Sequence, residues 1–482
     1  MSTLADHADH ADHADHADHA DHAGHAGHAD HGEVPGKAAP AAVRPAHPMR
    51  TELLRGSAPW AGAAVLLALA LVMAGKAEQW QGSWGETQFR LRTAATLLGA
   101  PLAGAAGCWQ GGRERRRRTD ELRAAAARGS LAQFLVASLP TAVWVAAGYA
   151  VAAIVALLAS WPYGSSGRPV LSALPADAGL LAAFALLGHV VGRLAPWRAA
   201  PPAFAVCAYA ALALPDRLFS GARYLSPAVQ PLGTSLTAWW YPIVMTAWVG
   251  GLAAAAVLAH AARRRYTAVL PLAAATAAAA LLVQTGDRMW QTDPLSAQQV
   301  CDTSVRPNIC VNALQESLLP EVGRALSGVT SRLEGVAHLP VRFADRPAGP
   351  GPGEAQLPIL TPLGWSVVRG ELTDPAQYAW EAAAALTRRA ESCDVRSADK
   401  RARRIDDAVT EWLGPNPVRD RMARDREKWA RQRGDAVQLA GIEADKQALT
   451  RLRSMGGEER RRWLSRYFAT VASCDPGAVP AL

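Results

Sequence analysis

Nine histidines recur at every third position near the start of the chain: His7, His10, His13, His16, His19, His22, His25, His28 and His31, set in an Ala-Asp-His repeat. Imidazole nitrogens interleaved with carboxylates are the ligand types that zinc, nickel or copper accept. In an extended, polyproline-like chain a period of three lines the imidazoles along one face, and in a coil they still converge on a cation. The repeat is a candidate for weak transition-metal binding, and no directly bound cofactor is expected elsewhere. Two other readings stand beside it. One is a slipped tandem repeat with incidental metal affinity; the other is a pH-responsive tail, since histidine titrates near pH ~6.5. Residues 1–32 cannot bury a core and are expected to be disordered, and the Pro- and Ala-rich stretch 33–57 reads as a linker.

Of the six cysteines, Cys108 and Cys207 lie in apolar runs and read as small packing residues. Cys301, Cys310, Cys393 and Cys474 share the C-terminal part. An even number there fits two disulfides in an oxidising compartment, with three pairings open. Free buried thiols are one alternative and a zinc site the other, but against zinc there is no CxxC pair and His338 is that part's only histidine. Other chemistry is sparse. No GxxxxGK[ST], HExxH, GxSxG or GxGxxG is present. The carboxylate pairs Asp406-Asp407 and Glu458-Glu459 fall on helix surfaces among arginines and read as solvated faces. No catalytic constellation emerges, so an enzyme is the least expected class.

These residues are positioned by apolar elements. A hydrocarbon core of ~30 Å needs about 20 apolar residues of helix. The candidate spans are Ala58–Gly75, Leu91–Trp109, Leu131–Ser160, Ala178–Pro196, Ala199–Pro215, Ala238–His260 and Thr267–Gln284. The fifth is short and begins at Pro201-Pro202. The fold class that follows is an α-helical polytopic membrane protein of about seven transmembrane helices. A transmembrane domain (58–285) precedes a mainly helical, mixed α+β soluble domain (286–482). Trp60, Trp80, Trp84, Trp109, Trp161, Trp197, Trp239, Trp240 and Trp290 lie at or near span ends, where an indole prefers the headgroup level.

The net charge of +8 does not point to nucleic acid, because its position matters more than its sum. One set of alternate connections holds Arg44, Arg50, Arg55, Arg113, Arg115–Arg118, Arg123, Arg128, Arg193, Arg198 and Arg263–Arg265. The other holds Lys76, Arg90, Arg92, Arg168, Arg217 and Arg223. Basic residues accumulate on the cytoplasmic side. This places the chain in the plasma membrane with its N-terminus cytoplasmic and its C-terminal domain extracytoplasmic. Within the spans, His189 and Arg193 lie four apart on one helix face, and ionisable groups at such depth mark a functional site or a hydrogen-bonded packing residue. Without a ladder of buried carboxylates, proton- or sodium-coupled transport is disfavoured.

In the external domain, Leu314, Leu318, Leu319, Val322, Leu326, Val329 and Leu333 recur at helical spacing. Leu339–Phe343 and Leu357–Val368 look strand-like around the turn Pro347–Gly353. Helices are expected from Pro375 to about Ser392, and over 398–413, 417–454 and 458–472, the last with Trp463, Leu464, Tyr467 and Phe468 on its apolar face.

The longest cytoplasmic connection, Gly111–Ser130, carries Arg113, Arg115, Arg116, Arg117 and Arg118, followed by Thr119, Asp120, Glu121, Leu122 and Arg123. Its cluster belongs at the anionic leaflet. The segment Trp109–Leu122 resembles membrane subunits of type-2 ABC exporters, in which a small-residue-rich helix end, a GRERR run and a short helix meet the ATPase. The C-terminal pieces Ile309–Pro320 and Glu458–Leu464 resemble external domains of actinobacterial permease-like membrane proteins. A seventh span and an external domain depart from the six spans usual there. The resemblance implies a permease-like subunit working with a separate cytoplasmic ABC ATPase docked at Arg113–Arg123, in the lipid bilayer and as a homodimer. Two alternatives remain open: a membrane-anchored receptor or assembly protein with an external ligand-binding domain, and a metal-handling membrane protein using the histidine tail.

Overall fold

The structure, a computed structural model, describes residues 53–54, 56–116, 129–164, 168–195, 197–215, 221–230, 235–360, 366–388, 399–473 and 475–482. The chain divides into two units, Met1–Ala46 and His47–Leu482, and all described residues lie in the second.

Each of the seven apolar stretches folds as helix. α1 covers Ala58–Ala74; α2, Trp84–Ala94, runs through a π-helical turn at Ala95–Gly99 into α3, Ala100–Gly111. α4 is Ser130–Ser160, α5 Ala173–Leu194 and α6 Ala200–Ala213. After the short strand β1, Ser235–Thr237, come α7, Tyr241–Ala261, and α8, Val269–Thr285. Among the described residues four helical segments, Ser130–Ser160, Ala173–Leu194, Tyr241–Ala261 and Arg265–Met289, are long and apolar enough to cross a membrane. α1 and α6 are shorter, at 17 and 14 residues, and the second stretch is divided by its π turn. The structure thus supports membrane helices without fixing the number of crossings at seven. Apolar side chains on the outside of these helices, such as Leu67, Leu71, Val155, Leu158 and Leu270, are exposed, which suits lipid better than water. Trp60, Trp161, Trp197 and Trp239 are exposed near helix ends, whereas Trp80 is buried and donates to the Met73 carbonyl.

Helix packing follows from small residues. α3 and α5 approach until backbones touch: a Cβ at Gly188 would collide with the Gly104 carbonyl, and one at Gly192 with that of Cys108. Only glycine permits this approach, a known way of joining helices where lipid removes the hydrophobic drive. At one end of the bundle Thr87 and Ser160 share a hydroxyl hydrogen bond (2.7 Å), and the Gln88 amide pairs with both backbone groups of Val170. There too β1 pairs antiparallel with β2, Trp290–Thr292. At the other end Ser57 donates to Gln110 and Ser130 to the Ala261 carbonyl. Arg113, Arg116 and Arg193 lie toward this second end.

The C-terminal domain is α+β. β3, Gln299–Asp302, is antiparallel to β4, Asn308–Asn312. α9, Leu319–Arg332, follows, then β5, Arg342–Ala344, and β6, Glu354–Gln356; β4, β5 and β6 run parallel in that order. A small ribbon joins β7, Val367–Val368, to β8, Glu371–Leu372. Then come α10, Pro375–Thr387; α11, Lys400–Leu413; α12, Pro417–Arg433; α13, Ala436–Ser454; and α14, Gly457–Val471. Ile309, Val311, Phe343 and Ala355 bury one sheet face against Val322, Leu326 and Val329 of α9 and Trp463, Leu464, Tyr467 and Phe468 of α14. Asp374 caps α10 by accepting from the Gln377 amide, with Pro375 at the first turn. The helix expected over 417–454 is two helices. Gly434 takes φ 65 and ends α12, and Asp435 caps α13.

The domain meets the bundle where the first connections emerge. Arg369 donates to the Gln81 side chain (2.7 Å) and stacks over the Tyr163 ring.

Candidate functional site

Arg92 is grouped by sequence with external loop charges, and the structure corrects this. α2 carries it into the bundle, where its side chain is 7% exposed. Its Nε lies 3.4 Å from Asp177 Oδ1 of α5. The Tyr149 hydroxyl of α4 donates to Asp177 Oδ2 (3.1 Å), and Arg92 reaches the Tyr241 hydroxyl of α7 (3.4 Å). Four helices therefore converge on one buried ion pair. Charge in an apolar bundle is tolerated only when partnered, so the cluster specifies how α2, α4, α5 and α7 assemble. The π turn begins three residues after Arg92. Its wider winding changes the face presented, so Arg92 meets Asp177 while the glycines of α3 meet α5 farther along.

His189 and Arg193 do come together. Arg193 Nε donates to His189 Nε2 (3.2 Å), the Phe134 ring lies edge-on to the imidazole, and the guanidinium stacks over the same ring. Arg193 packs back on its own helix, and the pair reads as a packed, hydrogen-bonded corner. Of the docking segment, Arg113 and Arg116 are within a short helical turn, and Arg116 folds over the Trp109 ring at 4.3 Å. Arg117, Arg118, Asp120, Glu121 and Arg123 lie outside the described residues, as do the nine repeat histidines, Cys393 and Cys474; the side chain of Arg115 does too. Among the described residues no group of three or more His, Cys, Asp or Glu is arranged to hold a metal. Cys301 and Cys310, direct partners in the β3–β4 register, form a disulfide.

The site that sequence reasoning missed is a cavity of about 1530 Å³ between the C-terminal domain and the start of α2. Glu86, Phe89 and Arg90 line it from the bundle side. Leu318, Leu386 and Phe468 supply apolar wall, and the Pro347–Gly353 turn closes one side. Three carboxylates with buried side chains line it, and their surroundings differ: Glu86 is paired with Arg90 of its own helix. Glu354 accepts from Arg342 (2.7 Å), Arg346 (2.8 Å) and the Gly351 amide (2.9 Å). The hydrogen bond from Arg346 leads in holding its carboxyl down at about 2. Asp345 accepts from the side chain and the backbone N–H of Asn312, and burial, the larger effect, pushes its carboxyl above the usual range. The Asn312 Oδ1 and Gln356 Oε1 atoms are buried with no hydrogen-bond partner. Asn312, Asp345 and Gln356 stand at the carboxyl ends of β4, β5 and β6, neighbouring parallel strands, where open α/β sheets place ligands. Three residues scattered over 45 positions gave no local pattern to find; strand order alone brings them together.

Compared with known proteins, the chain matches no family model, no curated protein and no solved structure.

Proposed function

We propose that this chain is a multi-pass membrane protein whose external domain captures a ligand in the cavity formed against the outer end of α2. The bundle crosses the bilayer seven times, with the N-terminus cytoplasmic and the domain extracytoplasmic. Basic residues gathered at one end of the bundle support that orientation, and the Cys301–Cys310 disulfide suits an oxidising compartment at the other. The observation that carries the binding role is the cavity itself: large, apolar-walled, and furnished with buried polar groups that lack partners. The test is native mass spectrometry of the full-length protein purified in mild detergent. A retained small-molecule or lipid adduct is expected, and Ala385→Trp, which fills the cavity from a half-buried lining position, should abolish it. An adduct that survives A385W would defeat the reading.

A second role, as a permease-like subunit driven by a separate ATPase, is favoured by one observation. The basic segment leaves the end of α3, the helix locked backbone to backbone onto α5, so a push there would reach the bundle core. Co-purification of an ATPase, lost on deleting Arg113–Arg128, is the expected result; purification without such a partner counts against it.

A further inference from the structure

We infer that the cavity receives an amine-bearing amphiphile of lipid size, its protonated amine seated at Asp345 and its apolar body along Leu318, Leu386 and Phe468. This rests on the binding role proposed above and adds the class of ligand.

Where Asn312, Asp345 and Gln356 line it, the cavity offers acceptors, its arginines Arg90 and Arg346 being taken up by Glu86 and Glu354. Asp345, 7% exposed, offers a carboxylate that accepts from the side chain and the backbone N–H of Asn312, with the buried Tyr378 hydroxyl nearby and, among the described residues, no arginine or lysine paired to it. Asn312, 5% exposed, leaves its Oδ1 without a donor, and Gln356 leaves its Oε1 so. Turning either amide over would face a carbonyl toward the groups that now receive its N–H: the Asp345 carboxylate for Asn312, and the Arg346 carbonyl for Gln356. Buried acceptors call for a donor, and a buried carboxylate calls for a cation. An ammonium brings three N–H donors and no acceptor of its own. A carboxylate or phosphate placed there would add acceptors and like charge, and a hydroxyl supplies a single donor. Glu354 provides the internal contrast, since Arg342 and Arg346 already saturate it and leave it nothing to bind.

Size and place supply the remaining terms. The volume of about 1530 Å³ exceeds the ~300–1,000 Å³ that encloses drug-sized ligands, and an alkyl chain would fill the surplus. The wall contributed by Glu86, Phe89 and Arg90 belongs to the first turns of α2, the rod that continues into the apolar bundle, so the opening lies where a bilayer molecule would be met.

The experiment measures binding of tritiated hexadecylamine, hexadecanol and palmitate to the detergent-solubilised full chain. The amine should bind at least about tenfold more tightly than the alcohol, with palmitate weakest. Asp345→Asn should bring the amine to the level of the alcohol, and Gln356→Leu, which spares the carboxylate, should weaken the amine selectively. Equal binding of amine and palmitate, or an amine preference untouched by both D345N and Q356L, overturns the inference. If all three probes bind and A385W abolishes them without any amine preference, the ligand class falls while the cavity role stands. If no probe binds, both fall. Reconstitution in bilayers of phosphatidylcholine and phosphatidylethanolamine separates the sources. Retention of the amine-headed lipid, lost in D345N, identifies a membrane lipid; free hexadecylamine bound without such retention identifies a soluble amphiphile. Either supports the inference.

Discussion

Glu354 and the Arg92–Asp177 pair show how differently one carboxylate can serve depending on what surrounds it. Glu354 is more acidic folded than unfolded, so the stability it contributes is complete above its ordinary value of 4.5 and is lost as pH falls toward about 2. Thermal unfolding followed across that window should show a steep acid arm, and Glu354→Gln should flatten it. Asp345, shifted the other way, contributes stability at low pH that is lost as pH rises through its folded value, so it opposes Glu354 and makes E354Q the cleaner probe. In the bundle, Asp177→Leu would strand Arg92 without its carboxylate and should cost about 3–5 kcal/mol. The double substitution R92L/D177L removes both charges and should recover much of that loss. Melting of the detergent-purified variants measures both; a double variant no more stable than D177L would mean the pair is not coupled. At this scale the sequence was least legible. Arg92 sits where the charge count suggests a loop, and its partner is on another helix, so no local spacing announces the pair.

At the scale of elements, apolar periodicity was a good guide. Each apolar run became helix, and the proline at Pro375 and the apolar face of α14 fell where composition placed them. Strands were harder to see. β3 and β4 were missed, and the strand-like segments expected at 339–343 and 357–368 appear shifted as β5, β6 and β7, because three-residue strands carry too little alternation to read. The glycines of α3 and α5 were visible only as small-residue enrichment; their meeting depends on how two helices 80-odd residues apart cross, and about 18 Å of α3 against about 33 Å of α5 leaves many registers. Their weight can be measured. Gly188→Val forces a side chain into the Gly104 carbonyl and should destabilise by about 3 kcal/mol or prevent folding. Gly129→Ala, a position with open space around it, should change nothing measurable. Equal effects of the two on folded yield would remove the backbone contact as an explanation for α3–α5 packing.

For the whole molecule, orientation is the quantity most worth measuring. A membrane-impermeant maleimide applied to intact cells should modify Cys301 and Cys310 only after an impermeant reductant, as read by peptide mass spectrometry. Modification only after lysis would place the domain on the cytoplasmic side and reverse the proposed topology. Of the two disulfides expected from the cysteine distribution, Cys301–Cys310 is formed, while Cys393 and Cys474 lie outside the described residues; nothing in that distribution anticipated that the domain would share a cavity with the bundle, because that depends on how the two pack together.

The β1–β2 ribbon matters for anyone who wishes to cut this protein in two. Trp290–Thr292 pairs with Ser235–Thr237, and the Trp290 ring lies edge-on to Tyr241 at 5.3 Å, so three residues beyond the last apolar helix still belong to the bundle. A fragment begun at Asp287 would tear out half of a two-stranded ribbon and carry an orphaned, aromatic edge into solution. One begun at Pro294 would leave the ribbon's partner strand behind with it, yet would still lack the wall of Glu86, Phe89 and Arg90. The domain can be separated as a body more readily than the pocket can, and a soluble fragment that binds nothing would be reporting the missing wall.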